Sequence, residues 1–292
     1  MADVETINES LVKDVDKYLR YAELESDRVA NRVGRIRLEI YEILEAYETK
    51  DGTISKSRIE SLIRQLNDVE LGIYDELTES MDAAIEKVAT DVEKDTTKAL
   101  LATLGLAAVF GAIGAKEIAK QSQDTINEIV EYVKNNRGSD GLNLSDRLRA
   151  FSGLLRGEIA KEIRYAVLQG KSVKDIGGII RKTFDKFRWH IKRIITTEIP
   201  IAIRKGISVI GGKLKIVKAV KIHDNRGRHR YHETHECYRL AEQNVYGWGK
   251  GVYKPTDTYI FEPHPQCTAY FTYIFDKKAL ADAEEVDTLV DG

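Results

Sequence analysis

Histidine and cysteine side chains are concentrated in one part of the chain. Five of the six histidines lie between positions 223 and 264, and both cysteines of the 292-residue chain lie in or next to this window. These residues are His223, His229, His232, His235, His264, Cys237 and Cys267. Imidazole nitrogen and thiolate sulfur are the usual ligands of structural zinc. The window therefore contains the residue types from which a zinc site is built.

Two short segments supply these side chains in pairs, HETHEC (232–237) and HPQC (264–267). Pro263 and Pro265 limit the conformations of the second segment, which lowers the entropy lost when a site forms. Two pairs brought together give the four ligands of a structural zinc site. The predicted ligands are Cys237, His264, Cys267 and His235, with His232 as a substitute. The alternative is a pair of buried thiols beside exposed histidines.

Sequence motifs of common catalytic sites are absent. The chain has no GxSxG, no Walker-type glycine loop and no HExxH, and the histidines of HETHE are three positions apart rather than four. We therefore expect a protein that is not an enzyme. A metal-dependent nuclease remains the alternative, because a histidine base and a metal suffice for phosphodiester attack. Its oxygen ligands would come from Asp224, Glu233 and Glu236.

Charge is distributed unevenly along the sequence. Residues 1–96 carry a net charge of −11 and residues 145–231 carry +15, although the whole chain carries −2. A basic region of this kind favours a polyanionic partner, and phosphate contacts need only accessible lysine and arginine. We expect DNA contact without sequence specificity, the alternative being that the two regions neutralise each other in the fold. The predicted DNA-binding residues are Arg181, Lys182, Lys186, Arg188, Lys192, Arg193, Lys213, Lys215, Lys218, Lys221, Arg226, Arg228 and Arg230.

Apolar residues recur at helical spacing through residues 1–96. One seam is formed by Val29, Val33, Ile36, Ile40, Ile43 and Tyr47, and a second by Leu62, Leu66, Val69 and Ile73. Asp51 and Gly52 break the pattern between them, as a turn would. The pattern predicts a long antiparallel helical hairpin, whose seam packs within the chain or contacts another subunit.

Residues 99–115 contain no charged side chain. Seventeen helical residues barely cross the hydrocarbon of a bilayer, and the stretch is rich in alanine and glycine. We expect a buried helix or an oligomer contact, with a membrane-active segment as the alternative. The polar, acidic start of the sequence predicts no signal peptide, and two cysteines favour a reducing compartment.

The polar segment 135–147 is the main predicted domain boundary. Helical patterns resume after it, and Pro200 is expected to kink or interrupt a helix over 191–207. Segments 213–223 and 269–275 are rich in β-branched and aromatic residues, which predicts two strands. The predicted fold class is mainly α, with a long N-terminal helical region followed by a helical and small α+β C-terminal domain.

Six short segments in the second half of the sequence occur in an order that is similar to that of a known protein family. They are GLNLSDRL (141–148), IRYAVLQGKSVKDIGGIIRK (163–182), RIITTEIPIAIRKG (193–206), ECYRL (236–240), GVY (251–253) and EPHPQC (262–267). Together they resemble the phage minor head proteins of the Mu F-like head-morphogenesis family. Thr197 and Glu198 are similar to the family's Thr-Glu segment, and the last segment to its P-x-HP-x-C ending. The family's first C-x-x-C pair is not present, since Thr234 occupies the earlier position and His235 stands nearby.

The resemblance implies a structural minor capsid protein that is incorporated during procapsid assembly. The implied partners are the portal protein, a scaffold or major capsid protein and packaged double-stranded DNA, with self-association through the N-terminal helices. The implied location is the virion, in the capsid interior or near the portal, and the host cytoplasm during assembly. A membrane-active DNA-ejection protein is a further alternative. The predicted regions are an acidic helical hairpin (1–96), an apolar helix and linker (97–140), a Mu F-like head-morphogenesis domain (141–276) and an acidic tail (277–292).

Overall fold

The structure is a computed structural model that describes residues 4–110, 115–138, 140–228 and 232–282. Long helices make up the first part of the chain: α1 (Val4–Arg35), α2 (Arg37–Ala46), α3 (Ile59–Phe110), α4 (Ala115–Asn135), α5 (Leu144–Leu168) and α6 (Val173–Lys213). A smaller part follows, with β1 (Val217–His223), α7 (Glu236–Glu242), β2 (Val252–Tyr253) and β3 (Tyr270–Phe275). The predicted fold class is confirmed.

The chain forms two compact units. Unit 1 comprises the described parts of 1–22, 84–139 and 196–292, and unit 2 comprises 23–83 and 140–195. Helices α1, α3 and α6 each contribute one part to unit 1 and another to unit 2, so both units combine segments that are distant in sequence. The four regions predicted from the sequence (1–96, 97–140, 141–276 and 277–292) remain predictions.

Unit 2 contains the antiparallel hairpin expected from the apolar seams. Arg32 in α1 donates a hydrogen bond to the Ser80 hydroxyl over 3.1 Å, whereas the hydroxyl of Tyr47 lies 2.9 Å from that of Ser61. The chain therefore runs in opposite directions on the two sides of the turn. Fully buried seam residues are Val29, Val33, Ile40, Leu62, Leu66 and Ile73.

Helix α5 completes this packing on the other side of α3. Its start is fixed by a capping box, in which Asn143 Oδ1 accepts from the Asp146 amide and the Asp146 carboxylate accepts from the Asn143 amide. Arg164 in α5 donates to Glu60 over 3.0 Å. This contact joins the end of α5 to the start of α3, so the two helices are antiparallel.

Helix α6 runs without interruption from Val173 to Lys213, so Pro200 does not interrupt it, and the kink that was the other expected outcome stays a prediction. The Ser172 hydroxyl accepts from the Asp175 amide over 3.2 Å and satisfies one free donor at the start of the helix. Proline inside a helix costs about 3 kcal/mol. The residues around it are fully buried and offset that cost through packing: Ile199, Ile201 and Ala202.

Unit 1 contains a three-stranded antiparallel sheet in the order β2-β1-β3, which confirms the strands predicted at 213–223 and 269–275. Val220 in the central strand is opposite Tyr253 on one side and Tyr273 on the other. Asn8 from α1 lies along the free side of β3. Its side chain donates to the Tyr273 carbonyl over 3.0 Å and accepts from the Tyr273 amide over 2.8 Å. The side-chain amide thereby occupies hydrogen-bonding groups of an edge strand.

The uncharged segment 99–115 is described as far as residue 110 and again at 115. Leu100, Leu104 and Val109 are buried, as expected for a buried helix. Gly105 adopts a φ of 80°, which interrupts the helical geometry of α3. Every helix in the described ranges is too short or too polar to span a lipid bilayer.

Helices α3, α4 and α6 approach each other closely at Gly206. A Cβ atom at this position would lie 2.6 Å from Val92 Cγ1 and 3.2 Å from Ile129 Cδ1. These distances leave no space for a methyl group. Gly178 lies in the same helix, but a Cβ atom there would meet nothing within 4 Å.

We expect Gly206→Ala to lower the free energy of unfolding by about 1–3 kcal/mol, because the methyl group overpacks the helix contact. Gly178→Ala is the matched control and should raise it by about 0.5–1 kcal/mol, since alanine has the higher helix propensity. Urea unfolding followed by tryptophan fluorescence measures both. Equal effects of the two substitutions would contradict the close helix approach.

Candidate metal centre

The start of α7 positions two of the predicted ligands. His235 is the residue that precedes the helix, with φ −87° and ψ 142°, and Cys237 lies in the first turn. Cys237 is fully buried, and the Nδ1 atom of His235 is also buried. The change from extended to helical backbone thus places an imidazole and a thiol next to each other.

Arg204 in α6 holds the loop that carries the other two predicted ligands. Its side chain is 1% exposed. Nε donates to the Phe261 carbonyl over 2.6 Å, and Nη1 donates to the carbonyls of Cys267 and Ala269 over 2.9 Å each. These carbonyls lie on both sides of His264 in sequence. A single charged side chain therefore fixes the backbone that presents His264 and Cys267.

Gln266 makes a second connection between this loop and α6. Its φ of 57° is in the left-handed region, which is uncommon for a residue with a Cβ atom. The Gln266 amide donates to the Thr197 hydroxyl over 3.0 Å, and its side chain donates to the Thr196 hydroxyl over 3.1 Å. The neighbouring Glu198 is 2% exposed. The Thr-Glu segment and the EPHPQC segment are therefore bonded to each other.

Three predicted ligands form one cluster. The ligand atoms of His235, Cys237 and His264 all lie within 4.8 Å of one another. His264 Nε2 is 3.2 Å from Cys237 Sγ, and the two imidazole rings meet edge to face with centroids 4.7 Å apart. His264 Nδ1 is 2.9 Å from the Pro265 carbonyl, a partner that orients the ring and directs Nε2 towards the thiol. This group could hold a metal ion.

The fourth predicted ligand, Cys267, is buried beside the cluster. Hydrogen bonding to Cys267, together with burial, raises the pKa of the Cys237 thiol. Burial acts to lower the pKa of His264, but hydrogen bonding to Cys267, the charge interaction with Cys267 and the hydrogen bond to the Pro265 carbonyl together raise that pKa above its usual value. Cys267 therefore contacts two members of the cluster. A bound cation would favour the thiolate forms of both cysteines instead.

His223 is not part of the cluster. Its Nε2 lies 2.8 Å from the Thr272 hydroxyl, and its ring stacks on Tyr270. Burial, reinforced by the charge of Lys221, lowers the pKa of His223 to about 4, so the ring is neutral at neutral pH. His229 lies outside the described residues, as does the side chain of His232.

A surface cavity of about 390 Å³ adjoins the cluster at His235. Glu233 and Glu236 also line this cavity. An ion pair with Arg239 lowers the pKa of Glu236, which keeps this carboxylate ionised. One side of the candidate metal site therefore has carboxylate oxygens within a solvent-accessible space.

The predicted DNA-binding residues in the first part of α6, from Arg181 to Arg193, lie in unit 2 and differ in their surroundings. Arg188 and Lys192 both form ion pairs with Asp27, with N–O distances of 2.9 Å and 2.7 Å. Hydrogen bonds from Lys192 and Arg188 lower the pKa of that carboxyl group. The exposed members of the set are Arg181, Lys182, Lys186 and Arg193.

The remaining predicted DNA-binding residues belong to unit 1. Lys213 pairs with Glu128 over 3.5 Å, and Arg226 pairs with Asp224 over 3.0 Å. Lys215 and Lys218 are exposed and Lys221 is half-buried, whereas the side chain of Arg228 and all of Arg230 lie outside the description. Acidic partners thus neutralise part of the set in each unit.

Sequence analysis missed Arg204, although the sequence contains a signal for it. Arg204 lies on one row of α6 with Thr197, Ile201 and Ser208, at helical spacing, and all four are buried. A charged residue on an otherwise apolar or small-polar row indicates a buried charge with fixed partners. The identity of those partners depends on the loop that packs against the row.

Fold and cluster together define a predominantly helical protein with a candidate metal centre in its C-terminal α+β part. Comparisons of the chain with protein families, with curated proteins and with solved structures found no match.

We expect Arg204→Met to lower the free energy of unfolding by about 3–5 kcal/mol, because three buried carbonyls lose their charged donor. Lys205→Met is the control: Lys205 pairs with the half-exposed Glu128 and lies over the rings of Tyr132 and Phe261, so its loss should cost about 1–2 kcal/mol, less than that of Arg204. The measurement is urea unfolding of each variant in a Trp189→Phe background. Trp248, the other tryptophan of the chain, then reports on unit 1 alone. A change below about 1 kcal/mol for Arg204→Met would remove the basis for its role.

Proposed function

We propose that the protein is a structural minor head protein of a phage. It acts in head morphogenesis at the portal and contacts packaged double-stranded DNA without reading its sequence. Its partners are the portal protein and a scaffold or major capsid protein. It is a component of the virion, assembled in the host cytoplasm, and is not an enzyme.

The observation that supports this proposal is the meeting of the segments that carry the family resemblance. Thr197 and Gln266 are 69 positions apart, yet they are joined by a hydrogen bond. Arg204, in the RIITTEIPIAIRKG segment, bonds to the carbonyl of Cys267, the last residue of EPHPQC. Cys237, in ECYRL, lies against His264. Three of the segments that resemble the family, RIITTEIPIAIRKG, ECYRL and EPHPQC, thus form one connected structure.

We propose zinc as the metal of the candidate site. The cluster supplies one thiol and two imidazoles, and the predicted fourth ligand, the Cys267 thiol, is also buried; zinc prefers such sulfur and nitrogen donors in structural sites. Ligands around a tetrahedral zinc lie about 3.5 Å apart, which is close to the 3.2 Å between His264 Nε2 and Cys237 Sγ. Zinc would join the start of α7 to the loop held by Arg204. Its role is to stabilise this connection.

We expect the purified chain to contain about one zinc ion and to lose thermal stability when a chelator removes it. Cys237→Ala and His264→Ala should abolish zinc binding and make the melting temperature insensitive to the chelator. His223→Ala is the matched control, since His223 lies outside the cluster, and this variant should keep its zinc. Elemental analysis and thermal unfolding provide the two measurements. Zinc retained at the wild-type level by both cluster variants would contradict the assignment.

The second candidate function is a metal-dependent nuclease. One observation favours it: the cavity beside His235 contains the carboxylates of Glu233 and Glu236, which could supply oxygen ligands or a base. Incubation of the metal-loaded chain with plasmid DNA distinguishes the two functions. Cleavage that disappears in a folded His235→Ala variant would favour the nuclease. Loss of stability without any cleavage by the wild-type chain would favour the structural site.

Particle composition tests the leading proposal directly. We expect the chain to be present at low copy number in purified procapsids and virions, because minor head proteins associate with the portal. Quantitative mass spectrometry of both particles, normalised to the portal protein, measures this. Absence of the chain from procapsids and virions would overturn the proposal, whatever the outcome of the zinc measurements.

A further inference from the structure

Unit 2 contains a surface groove that sequence analysis did not indicate. Two cavities of about 220 Å³ each lie between the α1–α2 junction and the first part of α6. Arg37 lines both cavities, so they are neighbours along one depression. We call this depression the α2–α6 groove.

One wall of the groove carries a regular row of cations on α6. Lys174 and Arg181 line it, and Arg188 continues the row into the second cavity. The three residues are seven positions apart, so they lie nearly along one line of the helix, with a spacing of about 10.5 Å. The row therefore presents an extended line of positive charge to a polyanion such as duplex DNA, which carries one negative charge per about 1.7 Å of its axis.

The opposite wall comes from the N-terminal region, which is acidic overall. Arg35 is the last residue of α1 and Arg37 the first of α2. Ile36 between them is 7% exposed, and its burial leaves both arginines on the surface. The junction thus adds two cations to a groove whose other wall is α6.

Most of these cations are available to a ligand. Arg35, Arg37, Lys174 and Arg181 form no ion pair with another residue in the described ranges. Arg188 is the exception, since it pairs with Asp27. The carboxylate of Asp185 also lines the groove. The positive charge of the lining exceeds the negative charge.

Small residues leave the floor of the groove open. Gly34 and Gly178 line it, and a Cβ atom at either position would meet nothing within 4 Å. Gly177 also lines it, and there the ring of Tyr41 packs so closely that a Cβ atom would lie 2.8 Å from Cε2. A phosphate group can therefore approach the helix backbone between the arginine side chains, which bind phosphate with paired N–H donors.

We propose that the α2–α6 groove binds the phosphodiester backbone of double-stranded DNA. This inference rests on the DNA contact of the proposed function and locates it in unit 2. It assigns the contact to Arg35, Arg37, Lys174, Arg181 and Arg188. An extended row of cations that includes several arginines fits the dense, continuous charge of a phosphate backbone better than the more widely spaced carboxylates of an acidic protein.

The test compares two triple variants of the full-length chain. Arg35→Ala/Arg37→Ala/Arg181→Ala removes three groove cations. Lys50→Ala/Lys56→Ala/Arg64→Ala removes three exposed cations of the same unit that do not line the groove and that form no ion pair within the described ranges. Fluorescence anisotropy measures binding of two unrelated DNA duplexes, a single strand and poly-glutamate over a range of salt concentrations. Thermal unfolding checks that both variants keep the wild-type melting temperature.

The groove variant should bind both duplexes at least tenfold more weakly at about 0.1 M salt, and its salt dependence should have a slope smaller by about 3. The control variant should stay within about threefold of the wild type. Arg35→Lys/Arg37→Lys/Arg181→Lys retains the positive charge and should recover most of the binding. This variant tests the role of the charge even if the alanine variant is unstable.

Contrary results separate the groove from the proposed function. Wild-type binding that the groove and control variants weaken equally would overturn the groove but leave DNA contact in place. A wild-type chain that binds no DNA would overturn both the groove and the proposed DNA contact, without bearing on particle composition. Tighter binding of poly-glutamate than of duplex DNA would assign the groove to an acidic protein and overturn the inference.

Discussion

The C-terminal site depends on one buried charge. Burial lowers the pKa of the Arg204 guanidinium, whereas the nearby Cys267, Cys237 and Glu262 act in the opposite direction. Taking an ion out of water costs several kcal/mol unless hydrogen bonds replace its hydration. Here three loop carbonyls accept hydrogen bonds from the guanidinium. Without Arg204 these carbonyls would lose their charged donor. The loop carbonyls stabilise the buried guanidinium, and the guanidinium in turn fixes the conformation of the loop. The positions of His264 and Cys267 depend on this interaction.

Local sequence patterns were sufficient for the long helices, for two of the three strands and for most of the cluster. β-branched and aromatic residues specified β1 and β3, and the types and spacing of His235, Cys237 and His264 indicated a shared site. Arg204 was missed, and the effect of Pro200 on the helix could not be decided from the sequence, because the energetics of both residues depend on what packs around α6, and that information is nonlocal. Propensity gives the cost of a proline in an isolated helix, and tertiary contacts decide whether the helix tolerates it.

Regional net charge was a poor guide to local potential. Residues 1–96 are strongly acidic, yet they supply Arg35 and Arg37 to a basic groove and Asp27 to neutralise two cations of α6. Coulomb energy falls with distance and is screened over about 10 Å in salt, so partners within a few ångströms matter more than totals over a hundred residues. Only the fold determines which charges become neighbours.

The three helices shared between the units have a practical consequence for dissecting the molecule. A truncation at the polar break near residue 139 would leave the hairpin of α1, α2 and α3 without α5 and α6, and would expose apolar faces on both fragments. Such fragments are expected to aggregate. The N-terminal fragment would contain Arg35 and Arg37, so the groove would be divided between the two fragments. Expression of separate halves is therefore a misleading way to assign activities in this chain.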